Sequence, residues 1–214
     1  MILIVAAMQE ESKFIPELLN LKKEDDHDIF INENIVFVRS GVGKVNAAMY
    51  TQMCLSRYDI DCIINFGYVG ALDVNLKKGD FVYPKNVLQH DYDTTILGCK
   101  PYEVLGQDKS VFQSCDNIYE VVKKVIPEIK SLEYIITGDR FVMGAIDGFE
   151  EAICDMEAYS IARCAYVAGV PVGFIKLVSD CCNDNGAEDF TASLTVLEEK
   201  LQKSIPNIVD TLNG

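Results

Sequence analysis

Ala152-Ile-Cys-Asp155-Met156-Glu157-Ala158 and, one helical stretch later, Val172-Gly-Phe-Ile-Lys-Leu-Val178-Ser179-Asp180 are the segments on which the reading of this chain turns. In each, a short apolar run leads into carboxylates. Runs of this length suit buried strands, and Glu157–Ala168 between them, closed by Gly169, has the pattern of a helix. An open α/β sheet places its ligand site outside the carboxyl ends of its strands. Glu157 and Asp180 are therefore expected to face one pocket from neighbouring strands. Glu11, shortly after the apolar run Met1–Ala7, is expected to join them.

The same alternation extends through the rest of the chain. Met1–Ala7 reads as a buried strand and Glu10–Leu19 as the helix after it. Asp28–Ile31 and Ile35–Arg39 read as a hairpin around Asn32-Glu33-Asn34. Ser40-Gly41-Val42-Gly43 is a turn and Lys44–Tyr58 a helix. Cys62–Phe66 is a strand ending in Gly67-Tyr68-Val69-Gly70, where two glycines signal close backbone approach or a simple turn. Phe81–Asp91 holds one or two strands broken near Pro84, and Asp91–Asp108 is a long loop. Ser114–Val125 is a helix that stops before Pro127, and Tyr134–Thr137 is a short strand. Asn183–Ala187 is a loop. Asp189 is the expected N-cap of a last helix with apolar positions Phe190, Leu194, Leu197, Leu201 and Ile205, kinked or restarted at Pro206. Neither repeats nor a domain linker interrupt the pattern. Alternating strands and helices predict one domain over residues 1–214, a three-layer α/β/α arrangement around a central mixed, mostly parallel sheet.

A chain of 214 residues is long enough for one full core, burying about 70% of its unfolded surface. The net charge of −14 argues against nucleic acid or an anionic membrane as partner, because both need clustered Lys or Arg. Met1–Ala7 lacks the basic lead of a signal peptide, and Gln9-Glu10-Glu11 follows at once. No apolar run is long enough to cross a bilayer. The cysteines Cys54, Cys62, Cys99, Cys115, Cys154, Cys164, Cys181 and Cys182 form no metal-type pair and read as reduced thiols of the cytoplasm, several of them in core positions. Cys181-Cys182 stands out as a reactive candidate beside Asp180. His27 and His90 are too far apart in sequence to form a metal motif, and no metal or cofactor is implied.

Taken singly, the motifs are weak. Gly41-Val-Gly-Lys44 lacks the length and the Ser/Thr of a phosphate loop. Glu11 and Glu157 could each be a helix N-terminal acid, and Asp180 a loop cap. Three acids with few basic residues nearby nevertheless suit chemistry that passes through a cationic sugar. Cleaving an N-glycosidic bond puts positive charge on the ribose and negative charge on the base, so a proton donor must meet the base while a carboxylate faces sugar and water. An apolar pocket with neighbouring acids can raise the pKa of such a donor.

The order of the motifs is more specific. Ala7-Met-Gln-Glu-Glu11, Ser40-Gly-Val-Gly-Lys-Val-Asn-Ala-Ala48, Ile64-Asn-Phe-Gly-Tyr-Val-Gly-Ala-Leu72, Gly79-Asp80, His90-Asp91, Thr137-Gly-Asp-Arg-Phe141, Asp155-Met-Glu-Ala158 and Ser179-Asp180 followed by Phe190 resemble the 5′-methylthioadenosine/S-adenosylhomocysteine nucleosidases of the nucleoside phosphorylase/hydrolase superfamily. The resemblance covers nearly the whole chain. It implies that Glu11 activates a water and that Asp180 protonates adenine N7. It implies that Glu157 binds the ribose hydroxyls, with Met156 packed on the sugar. Phe141 would stack on adenine, the Val142 backbone would read its edge, and Phe190 would close over it. Met8, Val42 and the Tyr68-Val69-Gly70 stretch would border the sugar and its 5′ side, and Asp155 and Ser179 would complete the pocket. The resemblance also implies a homodimer in which the loop 91–102 reaches the partner's site. Three positions depart from the family: Asp155 stands where Glu is usual, Tyr68 where a small residue is usual, and Lys176 where Arg is usual. Tyr68 is expected to crowd the sugar or 5′ side. Two other readings compete. A phosphorolytic relative would need cationic ligands, yet none of Arg39, Arg57, Arg140 and Arg163 flanks Glu11 or Tyr68 in sequence. A nucleoside-binding protein without catalysis would have no need to keep all three acids.

Overall fold

The computed structural model describes residues 1–24, 27–183 and 186–213, and the side chains of all of these except 186–196. Phe190, expected over the purine, and Leu194 therefore have side chains outside the described set. The first strand, β1 (Ile2–Ala6), is buried at every position. Its side chains alternate between two core layers, Leu3 and Val5 on one face and Ile2, Ile4 and Ala6 on the other. A strand apolar on both faces belongs inside a sheet covered by helices on both sides.

Around β1 lie β2 (Lys22–Lys23), β3 (Ile29–Ile31), β4 (Ile35–Arg39) and β5 (Cys62–Ala71). They are followed by β6 (Phe81–Gln89), β7 (Phe112–Gln113), β8 (Lys130–Thr137), β9 (Ala152–Asp155) and β10 (Val172–Asp180). The helices are α1 (Gln9–Ser12), α2 (Ile15–Leu18), α3 (Lys44–Arg57), α4 (Asp116–Val125), α5 (Ala158–Ala168) and α6 (Gly186–Asn213). Helices α3 and α5 pack on one face of the sheet, while α1, α2 and α4 gather around α6 on the other. The result is the three-layer arrangement, with a mixed sheet whose long ladders, β1–β4, β5–β10 and β6–β8, are parallel.

The sheet path runs β10-β6-β8-β9-β5-β1-β4-β3-β2, and β10 also pairs with β5. Strands β5, β10, β6, β8 and β9 thus close into a ring, from which β1, β4, β3 and β2 extend. On one edge of β5, β1 pairs with Cys62 to Asn65 and β9 with Gly70 and Ala71. Residues 66–69 between them have no strand on that edge, because β10 runs along the other. The functional site forms at this break.

Several expectations change. The stretch Glu10–Leu19 is two short helices, not one. Pro16 has no N–H to bond the Ser12 carbonyl, so the chain restarts as α2 with proline in its first turn. Strand β5 runs on through Gly67 and Gly70 instead of turning there. Strand β6 is continuous through Pro84, which falls between the rungs to β10 at Phe81–Val82 and those to β7 at Asn86–Val87, where an N–H can be missing without opening a ladder. Asp189 lies inside α6 and is not its N-cap. The helix also continues through Pro206, held by the buried stripe Leu197, Leu201, Ile205, Ile208 and Val209. The loop expected over Asp91–Asp108 carries only a 3₁₀ turn at Thr95–Leu97. Among the described residues, no helix is long and apolar enough to cross a membrane.

Candidate active site

Glu11 enters the break in β5 from α1. Its Oε1 accepts the Tyr68 N–H at 2.9 Å, and its Oε2 accepts the N–H groups of Met8 at 3.1 Å and Ala7 at 3.2 Å. The carboxylate thus replaces a missing strand partner, satisfying a backbone donor that would otherwise be stranded in the core. Burial raises its pKa above the ordinary range, opposed by the Tyr68 N–H and by the Lys176 ammonium.

Glu157 precedes the first turn of α5, where β9 ends. It is 8% exposed and accepts the Gly43 N–H at 2.9 Å. Gly43 can present that N–H because the turn into α3 holds it at φ +97°, which glycine adopts without strain. Burial first, then the charge of Asp155, push Glu157 up to about 8, against the pull of Lys176 and the Gly43 N–H.

Asp180 closes β10. The β10–β5 register shifts between Val178 and Asp180, leaving Ser179 as the extra residue. Such a bulge re-aims the side chain that follows it. The Ser179 hydroxyl donates to Asp180 Oδ1 at 2.8 Å, and the Cys182 N–H donates to Oδ2 at 3.2 Å.

These three acids line one cavity of about 180 Å³. Its walls include Ala7, Met8, Val42, Tyr68, Val69, Gly70, Phe141, Val142, Cys154, Asp155, Met156 and Ser179, with Arg140 also among them. All the residues given a catalytic or binding role from the sequence thus line it, apart from Phe190. Val42 and Phe141 remain 42% and 47% exposed, so the apolar wall is open on their side. Tyr68 lines the cavity and is also a core residue, 7% exposed, in the layer of Phe81, Leu177, Leu197 and Leu201. The crowding expected of its ring is thus shared with packing against α6.

Asp155 is the organising acid beneath the cavity. It accepts the Thr137 hydroxyl at 2.7 Å, the Ala158 N–H at 3.0 Å and the Lys176 ammonium at 2.9 Å. Lys176 itself is 1% exposed. Two of the three departures from the family pattern, Asp155 and Lys176, are therefore each other's partners. Sequence reasoning did not assign a site role to Arg140, Cys154 or Lys176. Lys176 was hidden inside an apolar strand run, whereas Arg140 stands beside Phe141 in a block already noted. Among the described residues, no group of three or more His, Cys, Asp and Glu side chains forms a metal site.

A mixed sheet between two helical layers, with buried acids where strands end, matches a family. The chain belongs to the phosphorylase superfamily, whose family model matches residues 1–210. It is 30% identical over 230 residues to the 5′-methylthioadenosine/S-adenosylhomocysteine nucleosidase of Staphylococcus aureus (strain JH9), across 99% of this chain and 100% of that one. Within the superfamily it thus falls among those nucleosidases. The Neisseria meningitidis nucleosidase of that name, solved in complex with methylthio-immucillin-A, superposes with a TM-score of 0.88 at 28% identity over 97% of both chains. The S-adenosylhomocysteine nucleosidase of Streptococcus pyogenes, in complex with 5-methylthiotubericidin, gives a TM-score of 0.84 at 26% identity over 99% of this chain and 95% of that one.

Proposed function

We propose that this chain hydrolyses the N-glycosidic bond of 5′-methylthioadenosine and S-adenosylhomocysteine, releasing adenine and the thioribose. The observation that carries the reading is the convergence of Glu11, Glu157 and Asp180 on one largely apolar cavity. The names and bound analogues of the relatives support it. In this reading Glu11 takes a proton from water as the water oxygen attacks C1′, and its raised pKa makes it a better base. The electron pair of the breaking bond passes into the purine, and Asp180 delivers a proton to N7, so adenine leaves neutral. Glu157 accepts from the ribose hydroxyls, and in its ionised form it offsets the cation that develops on the sugar. Met8, Val42, Tyr68, Val69, Gly70 and Met156 form the sugar and 5′ side. Phe141, Val142 and Phe190 hold the base, and Asp155 and Ser179 fix the acids.

Water is favoured over phosphate as nucleophile. Lys176, whose charge acts on Glu11, is committed to Asp155 at 2.9 Å, and Arg140 stands next to Phe141 on the base side. The test is adenine release from methylthioadenosine with and without phosphate. Equal rates and free methylthioribose are expected, and a phosphate requirement with a sugar 1-phosphate product would overturn hydrolysis. A bound but uncleaved nucleoside would point to a binding protein instead.

A homodimer in the cytoplasm completes the proposal. Val42, 42% exposed at the cavity rim, precedes α3, and Val45 and Met49, 76% and 52% exposed, follow at helical spacing in the first turns of that helix. The loop 91–102 begins beside them, where Lys44 bonds Asp91 at 2.6 Å, and exposes Ile96 and Leu97. Apolar side chains grouped this way suit burial against a second copy.

A further inference from the structure

Two thiols meet at the base of the cavity. Cys154 stands on β9 one residue before Asp155, and Cys182 stands two residues after Asp180. Their Sγ atoms are 3.2 Å apart, and both residues are buried. Gly70 makes the approach possible. It pairs with Cys154 on one side and with Asp180 on the other. A Cβ at Gly70 would fall 2.4 Å from Cys182 Sγ and 3.0 Å from Cys154 Sγ. Cys182 is also held at φ +46°, a left-handed conformation uncommon for a side-chain-bearing residue. In that conformation its N–H reaches Asp180 Oδ2.

We propose that Cys154 and Cys182 form an oxidation site, in which a small peroxide entering the cavity converts the dithiol to a disulfide and so couples redox state to the position of Asp180. Cys154 lines the cavity and is the thiol that a small oxidant meets first. Its thiolate attacks one oxygen of hydrogen peroxide. The O–O bond breaks, hydroxide leaves and takes up a proton to become water, and Cys154 is left as a sulfenic acid. The Cys182 sulfur then attacks that sulfenic sulfur, the S–O bond breaks, and a second water leaves. The two thiols lose two electrons and two protons, and the peroxide is reduced to two waters. A disulfide bond is about 2.05 Å long, so the sulfurs must close by roughly 1.2 Å. That movement pulls on the residue whose N–H holds Asp180. Displacements of about 1 Å near reacting groups can cost on the order of 100-fold in rate. The Cys182 thiol, burial, and the negative charges of Asp180 and Asp155 hold Cys154 well above the ordinary thiol range, so oxidation quickens as the pH rises.

The experiment treats the reduced full-length chain with hydrogen peroxide, then follows intact mass, non-reduced peptide mapping and turnover. The expected result is loss of two hydrogens, a peptide pair linked through Cys154 and Cys182, and a fall in turnover of about tenfold or more that dithiothreitol reverses. Cys181→Ser, which alters the exposed neighbour, should oxidise and lose turnover in the same way. Cys154→Ser and Cys182→Ser should form no linkage, and whatever turnover each has should survive peroxide. Absence of the linked pair overturns the oxidation site, and linkage with unchanged turnover overturns its coupling to Asp180. Peroxide inactivation that persists in Cys154→Ser does the same. The mass readout is independent of the proposed hydrolysis, so failure of one is distinguishable from failure of the other.

Discussion

Glu157 holds a raised pKa, and the consequence for stability has a definite sign. Its carboxyl titrates near 4.5 when unfolded and at about 8 in the fold. The fold therefore binds this proton more tightly than the unfolded chain does. The stabilisation is complete below pH 4.5 and is lost as the pH rises through 8. Glu157→Gln should leave the melting temperature of the ligand-free protein nearly unchanged at pH 5. At pH 8 the same variant should melt several degrees higher than the parent, as expected for an effect on the order of 2–5 kcal/mol. Equal pH profiles in parent and variant would show that Glu157 titrates alike in the folded and unfolded chain. For the chemistry, Glu11→Gln and Asp180→Asn should each lower kcat for adenine release by roughly 100-fold or more. Glutamine at position 11 can still accept the Tyr68 N–H, so a melting temperature close to the parent's would assign that loss to catalysis. Near-parent turnover in either variant removes that residue from the mechanism.

Among the elements, β9 and β10 flank β5 on opposite edges, and the buried Asp155–Lys176 pair joins them. Lys176→Met would leave Asp155 buried without its counter-charge, at an expected cost of about 3–5 kcal/mol. Adding Asp155→Asn should recover part of that, making the double variant less damaged than the sum of the singles. Strictly additive denaturation energies would mean that the pair carries no coupling. Gly70→Ala should destabilise the same region, because its Cβ would meet both sulfurs and would lie 3.1 Å from Asp180 Oδ2. The positions of the strands were legible because apolar runs such as Met1–Ala7 and Val172–Val178 have strand length and end in acids. The continuity of β5 was not, since Gly67 and Gly70 carry the same local signal whether the chain turns or is approached closely. Lys176 was equally obscure: a single cation in an apolar run acquires meaning only when Asp155 is found opposite. The break at Pro16 was legible in principle, as proline always removes a donor, but the apolar spacing around it favoured one longer helix.

For the whole molecule, the proposed dimer is tested by mass in solution. Met49→Glu places a charge in the exposed stripe on α3 and should shift the protein from dimer to monomer in sedimentation. A parent that already sediments as a monomer would remove the dimer from the proposal. The closed ring of strands has a further consequence, for synthesis. Its last member, β10, lies between β5 and β6, both of which leave the ribosome long before it does. Until Val172–Asp180 emerges, the edges that will receive it stand open. Strands β5 and β6 are consecutive in the chain and joined by a short connection, which is the arrangement of a local hairpin. A nascent chain can therefore zip these two strands directly against each other, and β10 must later separate them to complete the ring. Such a rival to the native topology would be built from correct strands in the wrong order. Any delay in translation before Val172 lengthens the time that rival has to form.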